Sequence, residues 1–491
     1  MTTPGVARGL IIAVVMIMGP GILLAGLLSL QGPNAPLSGR AVVGPNGEAV
    51  KDEFMFVHRS LVGDGTITAR VVSMTGLITY PPPHNDRIVA GVMPWAKAGI
   101  IMKKDLAPGA SYVAMMVTGT HGVRMQYNFT GDVAGSPRAV SSAAPLWLRL
   151  TRTGNTFTGY ASTTGKLWTR VATIHLANMP PTLQVGLFVT SPHDLTVAES
   201  ASRFTSATAV FDNVSLRGQT AHIWRSIDLG APRGLPGHLY GHAREAAGRF
   251  SVTGSGDMAP VGLAGGWPIE RGLLGTFLGI SAVIAVVAIA TRESTQAVDP
   301  RPQRGSFVAL PTLAAQGFVV GTISFAVGGV GALIAVLLSD HLLRAGGDVV
   351  LPVPPSTEFR VILGTALLVA LAGGFAVGVS ALIRRRGLTV TAGIVFLVVP
   401  YALARVNGMP VAAARWLLRV TPAAGFAIQQ SLPAWQQTAG PHTPQLGYYP
   451  LAPWVGIAVT AAYTVLALSL AALRSYGVSK RSARRVRAVT G

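Results

Sequence analysis

The amino-acid sequence predicts a multi-domain membrane protein: a bundle of six transmembrane α-helices with an extracellular all-β jelly-roll sandwich inserted between helices 1 and 2. Three observations carry this. Half of the 491 residues are apolar and only 12% are charged, far from the quarter or so of charged residues in soluble chains. Two uncharged runs, Leu10 to Leu30 and Gly272 to Thr291, are each long enough at about 1.5 Å per residue to cross a hydrocarbon core of about 30 Å. Between them lies a polar block whose strand signals recur at short spacing.

The first run follows Arg8 and reads as an uncleaved helix. It is longer than a usual signal-peptide core, and the small residues near Ala35 make a poor cleavage site. Residues 31–50 form a Gly- and Pro-rich linker. Strands are then expected at Glu53 to His58, Thr66 to Val72, Lys97 to Met102, Tyr112 to Thr118, Val123 to Phe129, Leu146 to Thr151, Thr156 to Ser162, Val185 to Thr190 and Ala207 to Val214. The stretches between them, such as Gly63-Asp64-Gly65, Pro108-Gly109-Ala110, Thr153-Gly154-Asn155 and Thr163-Thr164-Gly165-Lys166, supply turn geometry. The sandwich is expected over residues 51–217, with a looser return segment over 218–271.

Several stretches resemble the concanavalin A-like lectin/glucanase sandwich in its bacterial extracellular form. They are Asp52-Glu53-Phe54, Leu61 to Ile67 followed by Ala69-Arg70-Val71, Ala96 to Ile100, Trp147 to Arg152, Gly154 to Phe157 with Tyr160, Gly165 to Trp168, Val185-Gly186-Leu187 and Phe211 to Val214. The resemblance implies a fold more than an activity, because no Glu-x-Asp-x-x-Glu run supplies the paired carboxylates of glycoside cleavage. Trp95, Trp147 and Trp168 are candidates for stacking on sugar rings, with Lys97 and Arg149 beside them. The competing reading makes the tryptophans core and the cations salt-bridged. Asn128-Phe129-Thr130 fits a glycosylation pattern that carries little weight in a bacterial chain. His238 and His242 are four apart, but Gly237 and its Gly/Pro surroundings oppose a helix there, so neither they nor His193 and His222 are read as a metal site. Phe250 to Asp257 resembles the family's opening strand, displaced to the end of the block, and is expected to fill the first-strand position.

After Thr291 comes a polar segment, Arg292 to Ser306, and then apolar runs at 318–338, 361–383, 388–404 and 454–473, giving six spans. The net charge of +20 is unevenly placed. Residues 31–271 hold 21 Lys and Arg against 14 Asp and Glu, a net +7, leaving 18 against 5, or +13, on the membrane part. Counting short connections with the N-terminus inside puts 13 basic residues on the cytoplasmic side, including the tail 474–491, and 5 on the outer side. Both termini are therefore expected in the cytoplasm of a multi-pass cell-membrane protein, with no role for nucleic acid. Tyr448, Tyr449 and Trp454 stand where an interfacial aromatic belt would lie. The apolar runs contain no Asp, Glu, Lys, Arg or His, which argues against an ion-coupled transporter. Gly317 and Gly321, and Gly374 and Gly378, offer small-residue spacings for close helix approach.

The outer loop from Asn407 to Pro453 is long, and Val411 to Leu432 reads as an amphipathic helix, a Pro break and a second helix. It resembles the outer helical hairpin before the last span of type-2 ABC exporter permeases. With the six spans and basic tail, the chain resembles a bacterial ABC transporter permease carrying a large ectodomain. That resemblance implies a separate cytoplasmic P-loop ATPase, a second permease copy in the bilayer, and an ATPase-coupling loop falling on Arg292, Glu293, Arg301 and Arg304. The loop departs from the family's amphipathic coupling helix, having two prolines and no helical periodicity. The chain has no Gly-x-x-x-x-Gly-Lys-Ser/Thr motif and no cysteine, so no cofactor, metal or catalytic residue is assigned and no enzymatic activity is expected of it. An extracellular glycan is the expected partner of the sandwich. The other reading is a membrane-anchored glycan-binding or sensing protein without transport.

Overall fold

The computed structural model describes residues 4–31, 41–81, 84, 86–195, 202–221, 223–230, 240–297, 310–383 and 385–487. It divides into two compact units, one of residues 1–40, 266–433 and 442–491, the other of residues 41–265 and 434–441.

The second unit is a large β-sandwich. Its strands are β1 (Val50–Asp52), β2 (Phe54–Thr79), β3 (Ile88–Ala90), β4 (Lys97–Lys103), β5 (Tyr112–Thr118), β6 (Val123–Tyr127), β7 (Gly131–Ala134), β8 (Leu146–Thr153), β9 (Thr156–Ser162), β10 (Thr169–His175), β11 (Thr182–Thr190), β12 (Asp194–Leu195), β13 (Ser202–Thr220), β14 (Arg225–Leu229), β15 (His242–Ala246), β16 (Arg249–Gly254) and β17 (Met258–Pro260). All pairings between them are antiparallel.

Strand β2 belongs to both layers. Residues Met55 to Val62 pair with β11, which continues through β4, β5 and β6 to β7, while β14 pairs on the opposite edge. Residues Gly65 to Val71 pair with β8, which continues through β9 to β10, and across β2 lie β13, β16 and β15. The hand-over falls at Gly63-Asp64-Gly65, which the sequence reads as a turn between two strands. It is instead a corner within one strand, because β13 stays paired on both sides of it and shifts register there. Glycine is required at the corner: a Cβ on Gly65 would stand 2.6 Å from the Arg217 carbonyl oxygen, and Gly218 opposite has φ +124°.

Alternation places Met55, Val57, Ile67, Ala69 and Val71 of β2 in one buried cluster with Ile100 and Met102, Val113 and Met115, Leu148 and Leu150, Val185 and Leu187, and Phe211. This is the core between the layers. The sheets also continue beyond Arg217, where the sequence suggests a loose return segment with one strand at Phe250 to Asp257. That strand forms as β16, paired with β13 and β15, while β14 and β15 are strands the sequence did not suggest. The signal was weak because these strands are short and lie among Gly and Pro.

The first unit is helical: α1 (Pro4–Gln31), α2 (Thr276–Ala297), α3 (Leu310–Gly346), α4 (Pro355–Leu382), α5 (Arg386–Leu397), α6 (Val399–Ala404), α7 (Val411–Val420) and α8 (Pro453–Arg487), with 3-10 turns that include Ile269–Leu273 and Pro422–Gln429. Among the described residues, six segments are long and apolar enough to cross a membrane: Arg8–Leu28, Ile269–Thr291, Leu313–Gly346, Pro355–Leu382, Arg386–Ala404 and Pro453–Arg474. Pro400 at the start of α6 explains the break from α5, since its ring cannot continue the preceding turn's hydrogen bonds. Close approach is made at some of the expected glycines and at others besides. A Cβ on Gly21 would stand 1.9 Å from the Gly272 oxygen, and one on Gly275 2.0 Å from the Met16 oxygen. Gly378 does abut Ala467 of α8, whereas Gly317 and Gly321 have ordinary room.

Candidate functional site

The β2–β11–β4–β5–β6 layer turns its outer face into a second, smaller apolar cluster containing Phe54, Phe56, Ile101, Tyr112, Met116, Phe129 and Phe188. Two lysines of β4 are sealed into it. Lys97 Nζ donates to Asp257 Oδ1 at 2.9 Å and to the Met258 carbonyl at 2.6 Å. Lys103 Nζ donates to Asp52 Oδ2 at 2.7 Å, and Asp52 also accepts from the Gly109 amide at 2.8 Å. Both lysines and Asp52 have no exposed side-chain surface. Burial raises the Asp52 carboxyl above its ordinary range and lowers the Lys103 ammonium, with the partner's charge opposing each shift. Glu53 is also raised by burial, with Asp257, Asp52 and Asp228 adding like charge against the pull of Lys51. His193 is pushed down to about 4, chiefly by burial. Segment 434–441 covers this unit further, with Gln437 donating to the Phe129 and Thr130 carbonyls.

Two of the five glycan candidates from the sequence lie on this closed face. Lys97 is committed to Asp257, and Trp95 is buried with the His121 ring stacked on it at 3.9 Å. The other three lie together elsewhere. On β8, Leu146, Leu148 and Leu150 point into the core, so Trp147 and Arg149 point out of the other layer. Arg149 stacks on Trp168, with its Cζ 3.8 Å from the ring centroid, and donates to Thr68 Oγ1 at 3.3 Å. Trp147 pairs across the strand with Arg70, whose guanidinium grips Asp212 through two bonds of 2.7 and 2.6 Å. The candidates therefore split between the two faces, three on an accessible surface and two in the interior.

Of the histidines, His222 and His238 lie outside the described residues. His242 is on strand β15 and not on a helix, and no cluster of metal-ligating side chains occurs among the described residues. Phe129 is buried, and Asn128 accepts from the Tyr112 amide, so that tripeptide forms a tight turn with positive φ.

In the helical unit, Arg292 and Glu293 lie on α2, which continues to Ala297 although the sequence shows no helical period there. Arg301 and Arg304 lie outside the described residues. A polar centre that the sequence reading missed surrounds residues 428–432. Arg360 donates to the Ile428 and Gln430 carbonyls at 2.9 and 2.8 Å. The Glu270 carboxylate accepts from the Ser431 amide and hydroxyl. Gln429 Nε2 reaches Thr276 and Thr365 at 2.9 and 3.3 Å, and Gln430 accepts from the Tyr449 amide at 2.9 Å. Arg405 donates to the Tyr449 hydroxyl at 3.1 Å. Glu270, Arg360 and Arg405 each stand one or two residues outside an apolar run, which is why a search within the runs passes over them. The 3-10 segment Pro422–Gln429 is buried throughout.

No family profile matches the chain. No curated protein is similar to it in sequence. Among solved structures, scytalido-glutamic peptidase is 9% identical with a TM-score of 0.28, the match covering 41% of this chain and 98% of that one. A functionally unknown protein from Saccharomyces cerevisiae is 15% identical with a TM-score of 0.21, over 37% of this chain and 83% of that one. A xylan β-1,4-xylosidase from Bacillus halodurans is 14% identical with a TM-score of 0.20, over 31% of this chain and 27% of that one.

Two of these three are enzymes by description, and at such scores they assign no activity to this chain. The expectation that the chain has no enzymatic activity nevertheless does not stand, because it was drawn from missing motifs alone. The physical flaw in that inference is visible in the fold: Asp52, Glu53 and Asp257 come together from distant parts of the chain, so a linear carboxylate motif was never a necessary sign.

Proposed function

We propose that the chain is the membrane-spanning permease subunit of an ABC exporter, working with a second permease copy and driven by a separate cytoplasmic P-loop ATPase. The sandwich then stands outside the cell between the first two spans as a lectin-like domain facing cell-envelope glycan, and both termini lie inside. The observation that carries this reading is the stretch before the last helix. An anchor needs only its spans, yet here the short helix α7 and the buried 3-10 segment Pro422–Gln429 are folded in among them. A 3-10 run of this length is uncommon, because its hydrogen bonds are poorer than those of an α-helix, and it persists here buried in protein. This stretch is held by Arg360 and Gln429, by Thr460 donating to the Pro422 carbonyl at 2.7 Å, and by Tyr463 donating to the Val420 carbonyl at 2.6 Å. Buried charged side chains near apolar spans are retained where they serve a function.

Sidedness is tested by cysteine labelling, since the chain contains no cysteine. A membrane-impermeant maleimide applied to intact cells should label Thr163→Cys in the sandwich and leave Ser479→Cys in the tail unlabelled until the cells are opened. Labelling of Ser479→Cys in intact cells would refute the orientation. The accessible Trp147, Arg149 and Trp168 favour a second reading, a membrane-anchored glycan-binding or sensing protein without transport. Co-purification separates the two: a P-loop ATPase recovered with the chain supports the permease.

A further inference from the structure

The outer face of the β10–β9–β8–β2–β13 layer is laid out in registered rows. One row runs Arg170, Tyr160, Arg149, Thr68 and Ser215 across the five strands. The next runs Thr173, Thr158, Thr151, Thr66 and Arg217, with hydroxyl contacts of 3.2 Å between Thr158 and Thr173 and 3.1 Å between Thr66 and Thr151. Charge on this face is one-sided. Asp212 is taken by Arg70, with Arg249 a further 4.0 Å away, while Arg149, Arg170 and Arg217 make no salt bridge among the described residues. Arg170 and Arg217 are exposed, and Arg149 is half-buried with its plane fixed on Trp168.

We propose that this face binds an anionic polysaccharide whose sugars carry carboxylates. Unpaired guanidiniums present planar donor forks that match carboxylate geometry. Stacking on Trp168 holds the Arg149 fork in place, so less side-chain entropy is lost on binding. The threonine row offers hydroxyl donors and acceptors at the strand spacing of about 4.8 Å, on the scale of a sugar ring's own hydroxyls. Tyr160 and Trp147 supply ring surface beside the cations. An anionic lipid surface would explain the cations and the exposed Leu167 beside Trp168, but not the registered hydroxyl rows. The neutral glycan expected from sequence would need the hydroxyls and rings but not the cations. This deepens the glycan-facing part of the reading above and is independent of whether the chain transports anything.

The test uses the full chain in nanodiscs of zwitterionic lipid, with polygalacturonate as probe and dextran, phosphatidylglycerol vesicles and single-stranded DNA as comparators. The expected result is binding of polygalacturonate over dextran, weakened at least tenfold in the triple variant Arg149→Gln/Arg170→Gln/Arg217→Gln, with its thermal midpoint within about 2 °C of the parent because two of the three positions are exposed. Lys104→Gln, an exposed cation on β4's continuation, serves as the charge control and should leave binding within twofold. The proposal is overturned if polygalacturonate fails to bind, if the triple variant binds it as the parent does, or if vesicles or DNA bind and polygalacturonate does not. A failure here would leave the ATPase co-purification unaffected, so the two readings fail separately.

Discussion

Replacing Lys103 by Met should destabilise the sandwich out of proportion to the loss of one ion pair. Lys103 and Asp52 are both fully buried and 2.7 Å apart. Removing the ammonium leaves a buried carboxylate with the Gly109 amide on Oδ2 and no partner on Oδ1. Breaking a buried pair from one side costs about 3–5 kcal/mol. For a unit of this size, roughly 2–4 °C per kcal/mol translates that into a fall of about 6–20 °C in apparent midpoint. The assay is thermal unfolding of the full chain in detergent, read by intrinsic tryptophan fluorescence, alongside Lys104→Met. Lys104 is adjacent in sequence but exposed, and its variant should melt within about 1 °C of the parent. The double variant Lys103→Met/Asp52→Leu removes both charges and should recover at least half of the loss, the residue being the orphaned Gly109 amide. A Lys103→Met variant that melts with the parent would refute the burial of this pair.

Three further outcomes follow from particular contacts. His193 is neutral in the folded state down to about pH 4 but titrates near 6.5 when unfolded. The unfolded chain therefore binds the extra proton between those values, so this group's effect is absent at pH 7 and stability falls as pH drops from 6.5 towards 4, by at most about 3 kcal/mol. Comparison of His193→Gln with the parent in thermal melts from pH 7.5 to 4.5 should show the variant losing less on acidification; parallel curves would contradict it. Gly456→Ala puts a Cβ 2.2 Å from the Ala424 carbonyl oxygen and should cost about 2 kcal/mol, whereas Gly19→Ala meets nothing within 4 Å and should leave the melt unchanged or slightly raised. Arg360→Met strips donors from two carbonyls, so amide hydrogen exchange over residues 422–432 should accelerate roughly 30-fold, the effect of about 2 kcal/mol.

What the sequence disclosed and what it hid divide along physical lines. Runs of apolar residues have only one cheap environment, so all six membrane-length helices were legible from hydropathy. Period-two alternation in Leu146 to Thr151 carries the outward placement of Trp147 and Arg149 on β8, a signal that decides between the core and surface readings left open by residue type. Lys97 and Lys103 were not legible as interior residues, because hydropathy reports the cost of burying a charge and not the partner that offsets it. Gly63-Asp64-Gly65 looked like a turn because a turn and a sheet-switching corner need the same backbone freedom. The centre around Gln429 and Ser431 is assembled from the ends of several helices, and no local pattern announces such an assembly.

Mass spectrometry of the tagged protein drawn from its native membrane in gentle detergent tests most directly the proposed role as the membrane half of an ATP-driven exporter. A P-loop ATPase recovered in stoichiometric amount is the predicted result. Recovery of the intact chain with no ATPase would contradict the claim.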